Sequence, residues 1–501
     1  MDTQRINRRD DCIAALFCLI CAAALLMVCS MNSWLYPVNP WVDVNIIATV
    51  GRGMFDGLVP YRDLVEQKGP LLFLIFGAGM KLTPGTYHGL YLLETLSLAV
   101  AMFFGWKTAR LYAPGVSVGW MAVLCAVFVG SDAFAQGGSS EEFLLPLFAW
   151  SMYDWLRAWR ENAPFKASML VRNGICAGCV LWTKFNLLSF YFVWMAAVAL
   201  DALVREKKLG PPVRMCLWFL GGMVLASAPW LIYFGANGAL GDLVQGYFLD
   251  NLFGYVGTQQ RFWLVNVAHG LLQMLRQSPL YFAVLTLAAG AILAAPRVKM
   301  MLREKATLIA MAVLMILSMY ARTSSNDYYA LMLAVFVPFA LLPLRWLTCR
   351  RSWPRWLSAG TTLGGLAVLT ALLGMVGPWS HDIGTAYADT PQGRVAEAVE
   401  AREGATMIQY QSMDMGFYYS TGLSPAHRWF TFLNVRHQEC VDTVQALVDA
   451  GVPDYVVTGA WREESIRDLD RYEKVLELWS DYGMREDERM IYCLYQRTEE
   501  D

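Results

Sequence analysis

Charged side chains are scarce in this chain. Asp, Glu, Lys and Arg make up 16% of its 501 residues, where a soluble domain carries roughly 25%. Histidine is scarcer still: five scattered residues, with no His-Glu-x-x-His pair to suggest a zinc hydrolase. A net charge of −2 leaves no basic field that would gather nucleic acid. There is no internal repeat and no low-complexity segment, which argues against a solenoid or a disordered tail. The eleven cysteines do not outline a disulfide framework, because nine lie in or beside apolar runs, where a free Cys behaves as a small hydrophobe. Only Cys440 and Cys493 fall in the polar C-terminal region, where an oxidising compartment would let them pair.

Apolar residues are abundant, at 56%, and they gather into runs long enough to cross about 30 Å of hydrocarbon. These runs fall near 12–35, 87–110, 116–135, 141–159, 170–183, 185–204, 214–235, 279–295, 304–321, 328–347 and 357–378. The fifth and sixth are separated only by an interruption at Lys184 and Asn186. Two further segments, 42–56 and 70–82, are too short or too mixed to span and read as interfacial helices. The first run follows a basic N-terminus without a small-residue cleavage site and reads as an uncleaved anchor.

Loop charge orients the spans. With the N-terminus in the cytoplasm, 21 Lys and Arg fall on the cytoplasmic side and 8 outside before residue 380, the bias that membrane insertion imposes. The expected architecture is therefore an all-α polytopic membrane protein of about eleven transmembrane helices in 1–379. Its long outer loops are 36–86 and 236–278. A small extracytoplasmic α/β domain, 380–501, follows. Within that domain, periodicity predicts helices near 392–403, 438–450 and 462–481, and strands near 405–410, 428–434, 454–458 and 490–496.

Chemistry, on this reading, faces outward. The first outer loop places Asp43 a few residues after the first span, near the membrane surface. There a carboxylate can take a proton from an acceptor hydroxyl, while Lys68 and Arg62 neutralise a phosphate headgroup at the same depth. The bland alternative is an interfacial loop in which Asp43 caps a helix and Lys68 snorkels. Glu141 and Glu142 open a helix, where acids meet the dipole favourably. Lys184 inside an apolar run calls for a partner or a function. Asp327 could cap the span beginning at 328. Cys176-x-x-Cys179 reads as packing.

The loop runs Asp43, then Gly51-Arg52-Gly53, Gly57, Pro60-Tyr61-Arg62-Asp63, Glu66 and Lys68-Gly69-Pro70-Leu71-Leu72. This pattern resembles the first loop of bacterial membrane glycosyltransferases of the GT-C fold. More narrowly, it is similar to the dolichyl-phosphate-mannose protein mannosyltransferase-like family, glycosyltransferase family 39. Gly137-Gly138-Ser139-Ser140-Glu141-Glu142-Phe143, Gly178 with Thr183-Lys184, and Pro229-Trp230 through Asn251 and Tyr255 match in order, and the resemblance covers most of 12–350.

The resemblance implies transfer of a sugar from a polyprenyl-phosphate-linked donor, with inversion. Asp43 would be the base and Asp63 its second candidate. Lys68, Arg62, Lys184, Arg261 and Arg322 would bind the donor phosphate, and Tyr61, Glu66, Glu141, Glu142, Asp327 and Tyr328 the substrate. No cofactor is required, and a divalent metal is compatible but not needed. The acceptor would be a protein, a polysaccharide or a glycolipid, with membrane lipid as the surrounding partner. Two departures stand out: Asn326-Asp327-Tyr328-Tyr329 where many relatives carry His-Tyr, and Val44-Asn45 directly after the lead acid. A polytopic transporter or flippase is the alternative, and a non-catalytic assembly protein a third reading.

Overall fold

The computed structural model describes residues 8–254, 262–294, 300–321, 326–343, 355–400, 404–485 and 488–498. Helical segments fall in each of the eleven expected intervals. By length and composition, Arg9–Cys29, His88–Tyr112, Ala167–Glu206 and Gly210–Ala236 can cross a membrane. Shorter apolar helices include Gly119–Val129, Pro279–Leu293 and Gly364–Val376. The 40-residue stretch Ala167–Glu206 is broken where the sequence breaks it, by a 3-10 turn at Phe185–Leu188 directly after Lys184. The two interfacial segments are helices at Val42–Phe55 and Pro70–Leu82.

Contacts divide the chain into two compact units, each built from three separate stretches of sequence. One unit comprises Met1–Cys29, Leu92–Pro229 and Gln259–Ser380. The other comprises Ser30–Tyr91, Trp230–Thr258 and His381–Asp501, so the first outer loop clusters with the C-terminal region.

The first unit is a helical bundle. Its helix Ser140–Arg160 starts where Gly137 and Gly138 turn the chain at φ 82 and 86. A capping box closes the start: Ser139 N–H donates to Glu142 Oε1 at 2.8 Å, and Glu142 N–H donates to Ser139 Oγ at 3.2 Å. Helices Ala167–Lys184 and Gly210–Ala236 cross closely at Gly174 and Gly222. A Cβ there would lie 2.0 Å from the Phe219 carbonyl oxygen and 2.1 Å from that of Val171, the close approach small residues permit in membranes. Stacked Phe148 and Phe190, 4.6 Å between centroids, and buried Trp155 and Trp194 fill the interior.

The second unit contains the five-stranded sheet, β1 (Thr406–Gln409), β2 (Ser424–Pro425), β3 (Tyr455–Ala460), β4 (Tyr472–Ser480) and β5 (Met490–Arg497), in the order β2-β1-β3-β5-β4. β2 and β3 run parallel to β1, and β5 is antiparallel to both β3 and β4. Helices Pro391–Ala398 and His437–Asp449 stand near their expected positions.

Two expectations fail here. Residues 462–481 are not a helix: the segment alternates Lys474, Leu476, Leu478 against Glu473, Glu477, Trp479, and this period of two pairs with β5 as the edge strand β4. Residues 428–434 are not a strand. The pairing of Cys440 with Cys493, left open by the sequence, is not made: both are free and buried, and burial pushes each thiol up to about 11.

Candidate active site

Asp43 sits in the first turn of the helix Val42–Phe55, and Lys68 lies just before the helix Pro70–Leu82, whose first residue is the proline that a helix start tolerates. These two helices pack together closely because Gly51 and Gly77 face each other. A Cβ on Gly51 would stand 2.6 Å from the Phe73 carbonyl oxygen, and one on Gly77 2.4 Å from that of Gly51. The loop between them brings Lys68 Nζ to 3.3 Å from Asp43 Oδ2 and 3.8 Å from Glu66 Oε1. The ammonium and the Asp43 carboxylate retain 14% and 19% of their exposure, while Glu66 keeps 3%. Burial lifts the Glu66 carboxyl above its ordinary value, and the Lys68 charge pulls it part of the way back. Glu66 is thus the buried member of the trio, and Asp43 and Lys68 are both partly exposed.

The other residues of the loop have different tasks. Tyr61 is 1% exposed, with its hydroxyl donating to the Lys68 carbonyl at 2.6 Å. Its ring is buried and its hydroxyl is spent on the loop backbone. Asp63 accepts from Val59 N–H at 2.7 Å and from the Arg62 guanidinium at 2.8 Å on each oxygen. The Arg62 hydrogen bond holds the Asp63 carboxyl below the usual range, which disfavours it as a base. Arg62 is correspondingly occupied, donating also to the Asn237 carbonyl at 3.0 Å.

The remaining expected residues belong to the other unit or lie outside the described residues. Lys184 Nζ is 2.5 Å from Glu141 Oε1 and 4.2 Å from the centre of the Tyr329 ring, with Tyr328 at 5.4 Å. Its charge is balanced there by a carboxylate that also accepts from Ser140 Oγ at 2.7 Å. Glu142 serves the helix cap and meets the side chain of buried Glu94, which the sequence did not single out. Asp327 does not cap; it accepts from Gln273 Nε2 at 2.5 Å. Arg261 and Arg322 lie outside the described residues.

No family model matches the sequence, and no curated protein matches it. Solved structures do match. ArnT from Cupriavidus metallidurans bound to undecaprenyl phosphate aligns over 96% of this chain and 97% of its own, at 12% identity and a TM-score of 0.55. Its apo state aligns over 96% and 98%, at 13% identity and a TM-score of 0.58. The chain has a GT-C fold. A looser match, with a TM-score of 0.43 and 12% identity over 88% of this chain and 69% of the other, is to the Archaeoglobus fulgidus oligosaccharyltransferase in its apo form.

On this GT-C scaffold several supporting residues escaped the sequence reading. Asn251, noted only as part of a motif, donates to the Gln67 carbonyl at 2.6 Å and to the Tyr247 carbonyl at 2.8 Å. Asn45 donates to the Asn39 and Trp41 carbonyls at 2.8 and 2.9 Å and accepts from Tyr87 at 2.5 Å. Val44-Asn45 is therefore a structural continuation of Asp43, and Asn45 is not a second acid's substitute. Asp250, 2% exposed, accepts from Gln245 at 2.7 Å and faces Arg436 at 2.9 Å. The Asn251–Tyr247 bond is a local one, from a side-chain amide to the backbone carbonyl four residues earlier, which any residue there would supply. Arg428 carries no local signal, since the Tyr61 carbonyl and Asp242 that it meets lie far away in sequence.

Proposed function

We propose that this chain is an integral-membrane glycosyltransferase that moves a sugar from a polyprenyl-phosphate-linked donor to an acceptor on the outer face of the membrane. The acceptor is a protein, polysaccharide or glycolipid group with a transferable proton. The observation that carries this reading is the Asp43–Lys68 pair, a carboxylate and an ammonium 3.3 Å apart and both largely buried. The likeness in fold to ArnT, a protein solved with undecaprenyl phosphate bound, supports the donor class.

In the proposed step the acceptor oxygen attacks the anomeric carbon as its proton passes to the Asp43 carboxylate. The bond from the anomeric carbon to the phosphate oxygen breaks on the opposite side, inverting configuration. The electron pair leaves with the polyprenyl phosphate, whose new charge Lys68 neutralises. Among the described residues no cluster of three or more His, Cys, Asp and Glu forms, and the scheme routes no step through a metal. The eleven-span topology with the N-terminus in the cytoplasm is part of the same proposal.

The test is transfer by the purified protein in lipid with a panel of polyprenyl-phosphate sugars, comparing wild type with Asp43→Asn. Release of polyprenyl phosphate by the wild type alone supports both class and base. Equal release by both proteins keeps the class and removes Asp43 as base. A transporter or flippase reading draws on Glu94, buried within the apolar helix His88–Tyr112, and on buried Glu141 and Glu142 in the first turn of Ser140–Arg160. It is favoured if the wild type releases nothing from any donor yet moves a polyprenyl-phosphate lipid between leaflets.

A further inference from the structure

The loop that presents Lys68 is held at three carbonyl oxygens. Arg428 Nη2 donates to the Tyr61 carbonyl at 2.6 Å, Asn251 Nδ2 to that of Gln67 at 2.6 Å, and the Tyr61 hydroxyl to that of Lys68 at 2.6 Å. Arg428 grips the loop a second time through its own backbone, whose carbonyl accepts from Val65 N–H at 3.0 Å. Tyr61 is the pivot. Its φ of 68 is a conformation bulky residues avoid, and it is 1% exposed among Phe73, Phe234 and Tyr247, with ring centroids at 5.8, 5.7 and 6.4 Å. Its ring also lies against Gly246, where an added Cβ would come within 2.8 Å of Cδ1. A strained, buried tyrosine is retained only where its surroundings over-determine it, and such strain gathers at working sites.

From this we infer that Arg428, contributed by the C-terminal region, and Tyr61 are positioning residues for the phosphate-binding ammonium of Lys68. The chain of contact runs from the Arg428 guanidinium to the Tyr61 carbonyl, through the tyrosine to its hydroxyl, and from there to the Lys68 backbone. The Lys68 side chain then meets Asp43 and Glu66. The inference rests on the glycosyltransferase reading, because it assigns Lys68 to a phosphate. It gives the C-terminal region a role separate from acceptor binding: setting where the leaving group's charge is met. Positioning of this kind matters because displacement by about 1 Å at a reacting centre costs on the order of 100-fold in rate.

The experiment uses the full chain in lipid nanodiscs and two lipid probes, undecaprenyl phosphate and undecaprenol, which differ by the phosphate alone. Wild type, Lys68→Met, Tyr61→Phe, Arg428→Gln and Arg428→Lys are titrated with both. Tyr61→Phe removes one hydroxyl and keeps the buried ring, so it preserves the packing. The expected result is a loss of about tenfold in affinity for undecaprenyl phosphate in Tyr61→Phe and Arg428→Gln, the scale of one lost buried hydrogen bond. Undecaprenol binding should stay unchanged, and Arg428→Lys should recover most of the loss. If Lys68→Met loses the phosphate preference while Tyr61→Phe and Arg428→Gln match wild type, the positioning role is overturned and the proposed function stands. If wild type itself binds the two lipids alike, the phosphate role of Lys68 fails and the positioning role falls with it.

Discussion

Removing Lys68 should separate what its charge does for stability from what it does for transfer. The ammonium lies 3.3 Å from Asp43 and 3.8 Å from Glu66. At an effective dielectric of about 20 these attractions are roughly 5 and 4 kcal/mol before desolvation is subtracted. Breaking a largely buried pair by deleting one partner leaves a net loss of about 3 kcal/mol or somewhat more. Lys68→Met is therefore expected to lower thermal stability by several degrees, and to lower kcat by about 100- to 1,000-fold through the unneutralised leaving phosphate. The stability deficit has a direction in pH. Glu66 is already raised above 4.5 by burial, and losing Lys68 raises it further. A raised carboxyl keeps in the folded state a proton that the unfolded chain has released. The deficit is thus small near pH 4.5 and grows as pH rises above it. The double variant Lys68→Met/Glu66→Gln removes the repulsion between the two orphaned carboxylates. It should regain most of the thermal stability, with little pH dependence of the remainder, and none of the rate. Thermal unfolding from pH 4.5 to 7.5 beside polyprenyl-phosphate release on the same samples reads both. Recovery of transfer in the double variant would refute the reasoning, because Lys68 would then be only a counter-charge for the loop.

Two further outcomes follow from the same geometry. Asp63→Asn should leave kcat within about threefold and lower stability by about 1 kcal/mol or less, since its pair with Arg62 is partly screened by solvent; a 100-fold loss of transfer would make Asp63 the base. Burial pushes Asp414 from 3.8 up to about 6, so folded stability should fall by about 3 kcal/mol as pH rises from near 4 to above 6. Asp414→Asn should flatten that slope in thermal unfolding, because its remaining carbonyl oxygen can still accept from Gly416 and Phe417 N–H. Asp382, also lifted to about 6, acts in both proteins and cancels in the difference; an unchanged slope would place the proton elsewhere.

The helices were legible because each is a long apolar run, and Val42–Phe55 and Pro70–Leu82 because their runs stop short of a span. The Asp43–Lys68 pairing was legible only through the loop's resemblance to a family, since nothing in a 25-residue separation states that two side chains meet. What could not be read was set by distant partners. Tyr61 follows a proline and precedes two charges, the pattern of an exposed turn. Its burial depends on Phe234, Gly246 and Tyr247, far along the chain. Arg428 lies 367 residues from the carbonyl it holds. The segment 462–481 mixes acids, bases and apolar residues so evenly that helix and edge strand compete locally, and only β5 decides between them.

The salt bridge between Asp43 and Lys68 could be taken as evidence against a working role for either, since each already has a partner. The charge balance argues otherwise. Arg62 with Asp63, and Lys184 with Glu141, are pairings of one cation with one anion, each drawn closed. Lys68 instead faces two carboxylates, one buried and one partly exposed. In the proposed step Asp43 is neutralised by the acceptor's proton, and its hold on Lys68 weakens at the moment the departing phosphate gains charge. The ammonium can then exchange one anion for another with little movement, provided its backbone stays fixed, as the Tyr61 hydroxyl fixes it. On the proposed mechanism, a resting pair of this kind keeps the cation beside the position where charge will appear, an arrangement that lowers reorganisation during the step.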